Sequence, residues 1–176
     1  MLVMAEIQKI ASELEKTSEW PLRFHYCTLP VEYDRCFEVL KEEMKKTGLF
    51  FEGILALGEG ADDFKLETQA NNLDDVPHRA DNAGVVRTQQ KIFKELAKDA
   101  VIPLSFPFEA FSRIRKSQNA GFFVCNHLCA RLGKEYYQKK NAPAVGFIHV
   151  PQVGQGGMFT AEVCAAVIVN GFRKVV

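Results

Sequence analysis

Three residues in this chain of 176 have the types and neighbourhoods that acyl-transfer chemistry requires: Cys125, His149 and Glu67. Cys125 lies in Asn-Ala-Gly-Phe-Phe-Val-Cys-Asn, residues 119–126, where a glycine precedes an apolar run that reads as the start of a helix. A thiol in the first turn of a helix meets unpaired N–H groups and the positive end of the dipole, which favour the thiolate at neutral pH. His149 closes the apolar segment Gly-Phe-Ile-His-Val-Pro, residues 146–151, and functional groups of open α/β sheets gather at such strand ends. Glu67 sits in the apolar-flanked Lys-Leu-Glu-Thr-Gln-Ala-Asn-Asn, residues 65–72. Each residue alone has a plainer reading: a buried structural cysteine, a core histidine bonded to backbone, a strand-edge glutamate. Together they suit a thiol nucleophile, its general base and the acid that orients the base.

Those groups need a scaffold, and the pattern of apolar residues supplies one. Ile7, Ile10 and Leu14 recur at helical spacing and predict a helix over residues 4–16, broken by Trp20-Pro21. Leu22 to Leu29 reads as a strand. Val31 to Lys46 places Phe37, Leu40 and Met44 on one helical face, with Gly48 as the stop. Phe51 to Leu57 is apolar and short enough for a buried strand, closed by Gly58 and Gly60, and Phe64 to Ala70 predicts another. Asn71 to Gly84 has the Asn, Asp, Pro and Gly content of a surface loop. Helical spacing returns at Ile92, Phe93 and Leu96; a Pro-punctuated stretch then leads to a short helix after Pro107 and a strand over Phe111 to Ser117. Phe122 to about Lys139 predicts a helix whose late Lys and Arg suit its C-terminal dipole. Val145 to Val150 predicts a buried strand, and the Gly-rich residues 154–157 precede a last helix from Phe159 to about Asn170. Alternating strands and helices imply an α/β fold, a three-layer α/β/α sandwich with a mostly parallel, mixed central sheet, in a single domain over residues 1–176.

Composition narrows the function. Lys+Arg and Asp+Glu both number 22, for a formal net charge of zero. A nucleic-acid or membrane-surface binder would carry a basic excess, so neither partner is expected. No apolar run approaches the roughly 20 residues that span a bilayer. The opening residues lack a basic region ahead of an apolar one, which argues against a secretory signal. The five cysteines, Cys27, Cys36, Cys125, Cys129 and Cys164, form no CxxC pair and no dense framework. They read as reduced thiols in the cytoplasm. Cys125, His127 and Cys129 lie close in sequence, but on a helix His127 points away from the face the two cysteines share, so a metal site is not expected there.

The segments Ser-Gln-Asn-Ala-Gly-Phe-Phe-Val-Cys-Asn-His-Leu (117–128) and Ala-Val-Gly-Phe-Ile-His-Val-Pro-Gln (144–152) resemble the two signature blocks of the pyroglutamyl peptidase I (pyrrolidone carboxyl peptidase) family of cysteine peptidases. The separation of 24 positions between Cys125 and His149 is similar to the family's spacing. Leu-Glu-Thr-Gln-Ala-Asn-Asn (66–72), with Leu-Gly-Glu-Gly (57–60) before it and Asp81-Asn82 after it, resembles the family's glutamate region; Thr-Leu-Pro-Val-Glu-Tyr (28–33) resembles its Leu-Pro-Val turn. The resemblance spans roughly residues 5–170. It implies a cytoplasmic cysteine exopeptidase that hydrolyses the amide after an N-terminal pyroglutamyl residue, through a thioester acyl-enzyme. Cys125 would be the nucleophile, His149 the base and later the acid, and Glu67 the orienter. Phe122, Phe123 and Val124 would wall the lactam pocket, with Arg79 near the oxyanion. The resemblance implies no metal and no cofactor, peptides with N-terminal pyroglutamate as partners, and a homo-oligomer. The family's opening strand and Gly-Phe-x-Pro-Phe-Gly loop have no counterpart before Ala5, so the resemblance implies either a start assigned too late or an N-terminally shortened member with weak or no turnover. Two other readings keep the fold: a binding or scaffold protein without catalysis, and an α/β cysteine hydrolase acting on another amide or lactam.

Overall fold

The computed structural model describes residues 2–16, 22–61, 63–112, 114–153 and 159–172. Its elements are the helices α1 (Leu2–Leu14), α2 (Cys36–Thr47), α3 (Val124–Tyr136) and α4 (Ala161–Phe172), and the strands β1 (Gly53–Ala61), β2 (Lys65–Glu67), β3 (Gln69–Asn71), β4 (Val101–Pro103), β5 (Arg115–Ser117) and β6 (Ala144–Pro151). The central sheet runs β1-β6-β2-β5, with β1 parallel to β6, β2 parallel to β5, and β2 antiparallel to β6. This is the mixed, mostly parallel sheet expected. β3 and β4 form a separate antiparallel pair.

Strand β6 assigns the two faces. Its residues are apolar on both sides, as a strand covered by helices on each face requires. Val145 and Phe147 join a core with Phe37 and Leu40 of α2 and Leu128 and Leu132 of α3. Ile148 and Val150 join a second core with Val3 and Ile7 of α1 and Ala165, Ile168 and Val169 of α4. Leu66 of β2 belongs to that second core, so by alternation Glu67 faces α3. The layers are therefore α1 and α4, the sheet, then α2 and α3.

Several elements differ from the sequence reading, each for a local reason. Residues 22–30 carry no strand: the Phe24 ring packs edge-on against Phe172, centroids 5.0 Å apart, and the Phe24 N–H goes to Glu15 Oε1 at 3.3 Å. Strand β1 does not stop at Gly58 but continues through Gly60 to Ala61. The segment Phe64 to Ala70 is broken at Thr68, whose N–H and Oγ1 both donate to Ser117 O, at 2.8 and 3.0 Å. Ile92, Phe93 and Leu96 form no helix. The buried Asn72 amide donates to the carbonyls of Phe93 and Ala97, at 3.0 and 2.9 Å, and accepts the Phe93 N–H at 2.7 Å, pinning the segment so that those carbonyls close only single turns, to the Leu96 and Ala100 N–H groups. Among the described residues between Phe111 and Ser117 only Arg115–Ser117 is strand; Phe108–Phe111 is the short helical turn expected after Pro107. The loop following Asn71 is polar but not all at the surface, since Asn72, Asp74 and Asp81 are buried. Gly48 caps α2 as expected, at φ +64°, with its N–H on Lys45 O. Trp20-Pro21 and residues 154–157 lie outside the described residues.

Helix α3 lies hard against β4. A Cβ built at Gly133 would stand 2.6 Å from the Pro103 carbonyl oxygen and 2.7 Å from Ile102 Cγ2. Helix propensity alone favours Ala over Gly by about 1 kcal/mol, yet overpacking against backbone costs about 1–3 kcal/mol. Gly133→Ala is therefore expected to lower the thermal unfolding midpoint; a raised midpoint in a calorimetric scan would contradict this packing.

Candidate active site

Pairing β2 antiparallel to β6 puts Lys65 opposite His149 and Glu67 opposite Phe147. Glu67 and His149 are thus diagonal neighbours on one face, within reach for long side chains. His149 Nδ1 meets Glu67 Oε1 at 2.8 Å. Glu67 is fully buried, and its second oxygen, Oε2, has no hydrogen-bond partner among the described residues. With Nδ1 turned to the carboxylate, the imidazole presents Nε2 outward.

Cys125 reaches the same place from the helix above. It is the second residue of α3, after Phe123 at the N-cap and Gly121 at φ +79°, a left-handed turn that glycine accepts without strain. Its thiol is half-buried beside the His149 side chain, close enough to act on the imidazole's pKa. On the far flank of His149 the register partner in β1 is Gly58. A Cβ at Gly58 would stand 2.6 Å from the Phe147 ring and 3.2 Å from Cys125 Sγ. Gly58 therefore leaves the room that the sulfur and ring occupy. By apolar pattern Gly58 marks a strand end, but a glycine inside an apolar strand also signals close approach by another group.

Burial by itself pushes the His149 imidazole down, but the neighbouring Cys125 and Glu67 side chains outweigh it, raising the pKa from 6.5 to about 9. The folded-state value exceeds the unfolded one, so folding favours the protonated ring. That stabilisation is complete below about 6.5 and is lost as pH rises through about 9. The first turn of α3 adds the unpaired N–H groups that every helix N-terminus presents, beside the thiol. The set can hold a proton between sulfur and imidazole, and it has backbone donors where an oxyanion would form.

The other candidates fall around this centre. Arg79 is exposed with its guanidinium over the Phe123 ring, 4.3 Å from the centroid. Phe122 is exposed and Phe123 half-buried against Tyr33, whereas Val124 packs into the core. The turn with Pro30 and the Asp81-Asn82 loop meet: Asp81 accepts the Tyr33 N–H at 3.0 Å, and the Asn82 N–H donates to Val31 O at 2.9 Å. His127 points away from Cys125, its Nδ1 on the buried Asp74 at 2.8 Å, where Arg87 also donates at 2.8 Å. No group of three or more metal-ligating side chains occurs among the described residues. A polar hollow of about 250 Å³ lined by Tyr33, Arg87, His127 and Arg131 includes neither Cys125 nor His149. The Asp74–Arg87–His127 cluster had no local signal in the sequence, because its members are far apart along the chain.

Comparison with known proteins gives the site a context. The family described as pyroglutamyl peptidase matches residues 5–173. The chain is 32% identical over 135 residues to a pyrrolidone-carboxylate peptidase of Bacillus cereus, covering 70% of this chain and 60% of that protein. It is 31% identical over 138 residues to one of Streptococcus suis, with the same coverage. The chain thus spans about 60% of the length of these curated relatives. Among solved structures, pyrrolidone carboxyl peptidase of Fervidobacterium islandicum superposes with a TM-score of 0.75 at 21% identity, over 98% of this chain and 88% of that one. The Thermus thermophilus protein gives 0.71 at 25% identity, over 96% and 91%.

If the Glu67 carboxylate contributes to the raised His149 pKa, Glu67→Gln takes the imidazole's midpoint down from about 9 toward 6.5. A ¹H–¹⁵N NMR titration reads this directly, and a midpoint unmoved by the substitution would contradict the assignment.

Proposed function

This chain belongs to the pyroglutamyl peptidase family, and from that premise we propose that it is a cysteine exopeptidase removing N-terminal pyroglutamyl residues from peptides. The observation that carries the reading is the hydrogen bond between the buried Glu67 and His149, with the Cys125 thiol beside the imidazole. It lies at the N-terminus of α3, in a chain whose relatives are named for this peptidase.

Cys125 shares its proton with His149 and attacks the pyroglutamyl carbonyl carbon as a thiolate. A C–S bond forms, and the carbonyl electrons move onto oxygen, which the N–H groups of the first turn of α3 stabilise. His149 gives its Nε2 proton to the leaving amine as the C–N bond breaks. Water, deprotonated by His149, then attacks the thioester, releasing pyroglutamate and restoring the thiol. Glu67 holds Nδ1–H throughout, so that the ring keeps one orientation and the imidazolium stays compensated. Phe122 and Phe123 offer apolar contact to the uncharged lactam ring, and Arg79 stacks on Phe123 from outside. The five free thiols suit the reducing cytoplasm. No helix among the described residues is long and apolar enough to cross a membrane.

The test is release of aminomethylcoumarin from its pyroglutamyl conjugate. Turnover is expected from the chain, with Cys125→Ser and His149→Ala each lowering kcat by at least about 10³-fold. Absence of turnover, or turnover that survives Cys125→Ser, would contradict the reading.

A further inference from the structure

The residue after Cys125 is used in a way that the reaction does not explain. Asn126 is fully buried. Its Oδ1 accepts the Asn71 N–H at 2.9 Å, and its Nδ2 donates to Asn71 O at 3.0 Å and Leu73 O at 2.9 Å. All three bonds go to backbone at the end of β3, on the edge away from β4, so the amide completes this strand as a neighbouring strand would. That backbone begins four residues after Glu67, and in between Thr68 is pinned twice to Ser117. Two further bonds repeat the connection on either side: the Asp75 N–H to Phe122 O at 3.1 Å, and His127 Nδ1 to Asp74 at 2.8 Å.

We propose that Asn126 is a positioning residue that fixes the Cys125 sulfur relative to Glu67 and His149 by locking the first turn of α3 to the strand segment continuing from Glu67. The thiol and imidazole sit on different elements, a helix and a strand, and only side-chain packing and such bonds set their separation. A nucleophile and base must meet within about 2.6–3.2 Å, and a shift of about 1 Å can cost about 10²-fold in rate. An apolar contact at position 126 would let the helix slide along its axis. The amide prevents this, since three bonds in different directions hold it at one point on β3. The inference rests on the proposed peptidase reading for its kinetic consequence, but not for its thiol chemistry.

The experiment compares wild type with Asn126→Ala and Asn126→Asp. The second keeps the size and the bond from the Asn71 N–H, but turns an oxygen toward two carbonyls. Three quantities are read: kcat and KM on pyroglutamyl-aminomethylcoumarin, the rate of Cys125 alkylation by iodoacetamide at pH 7 relative to Cys27 by peptide mapping, and the circular dichroism spectrum. Both variants are expected to keep the native spectrum and to lose about 10²-fold in kcat, with KM changed by less than about threefold. Cys125 alkylation is expected to slow about tenfold relative to Cys27. Folded variants with wild-type alkylation, or a loss confined to KM, would overturn the proposal. Failure of both variants to fold would also overturn it, by showing that Asn126 holds the domain rather than the site. A wild type whose Cys125 alkylates quickly but releases no aminomethylcoumarin would count against the pyroglutamyl reading alone, and the alkylation ratio would still decide Asn126.

Discussion

A fully buried carboxylate bonded to a single imidazole, Glu67 on His149, is the contact around which this structure is arranged. An ionised carboxylate is expensive to remove from water unless a cation or strong donors compensate it. Here one oxygen has His149 and the other has no partner among the described residues. Leaving a buried acceptor unpaired costs about 1–3 kcal/mol, so the fold spends stability to hold a charge at this point. That expense is typical of sites where chemistry, not packing, sets the residue.

The pair in turn constrains the topology. Glu67 and His149 meet only because β2 runs antiparallel to β6 in the register that makes them diagonal neighbours. A slip of one residue would send Glu67 into the opposite core, where Leu66 now packs with Ile148. The α1 and α4 side of the sheet is filled with aliphatic and aromatic side chains, and this anchors the register. The α3 side is left to carry the polar groups. Gly58 completes the arrangement by having no side chain where the Cys125 sulfur and Phe147 ring converge.

Much of this was legible in the residues themselves. Cys125, His149 and Glu67 stand at strand and helix ends marked by Gly121, Pro151 and short apolar runs, which are local signals. The two-sided apolar pattern of residues 145–150 and the capping glycine at 48 are local as well: β6 forms where expected and α2 stops at Gly48, although it starts at Cys36 rather than near Val31. What local pattern could not reveal depended on distant partners. The Asn72 side chain, twenty or more residues away, binds the Phe93 and Ala97 carbonyls and pins a segment of helical spacing into single turns. Thr68 turns the chain because Ser117 receives it, which divides one apparent strand between two sheets. The apolar residues from 22 to 29 have strand composition, but Phe24 uses its ring against Phe172. Asn126 gives no sign of its role either, because the backbone it holds lies more than fifty positions earlier.

The central claim is that, of five cysteines, the one beside the buried Glu67–His149 pair, Cys125, becomes covalently acylated. Rapid quenching after mixing with an activated pyroglutamyl ester, whose acylation outruns hydrolysis, followed by peptide mass mapping, tests it most directly. The account predicts one added pyroglutamyl group, confined to the peptide that carries Cys125. Product formed in a burst with no adduct at Cys125, or an adduct on Cys27 instead, would contradict it.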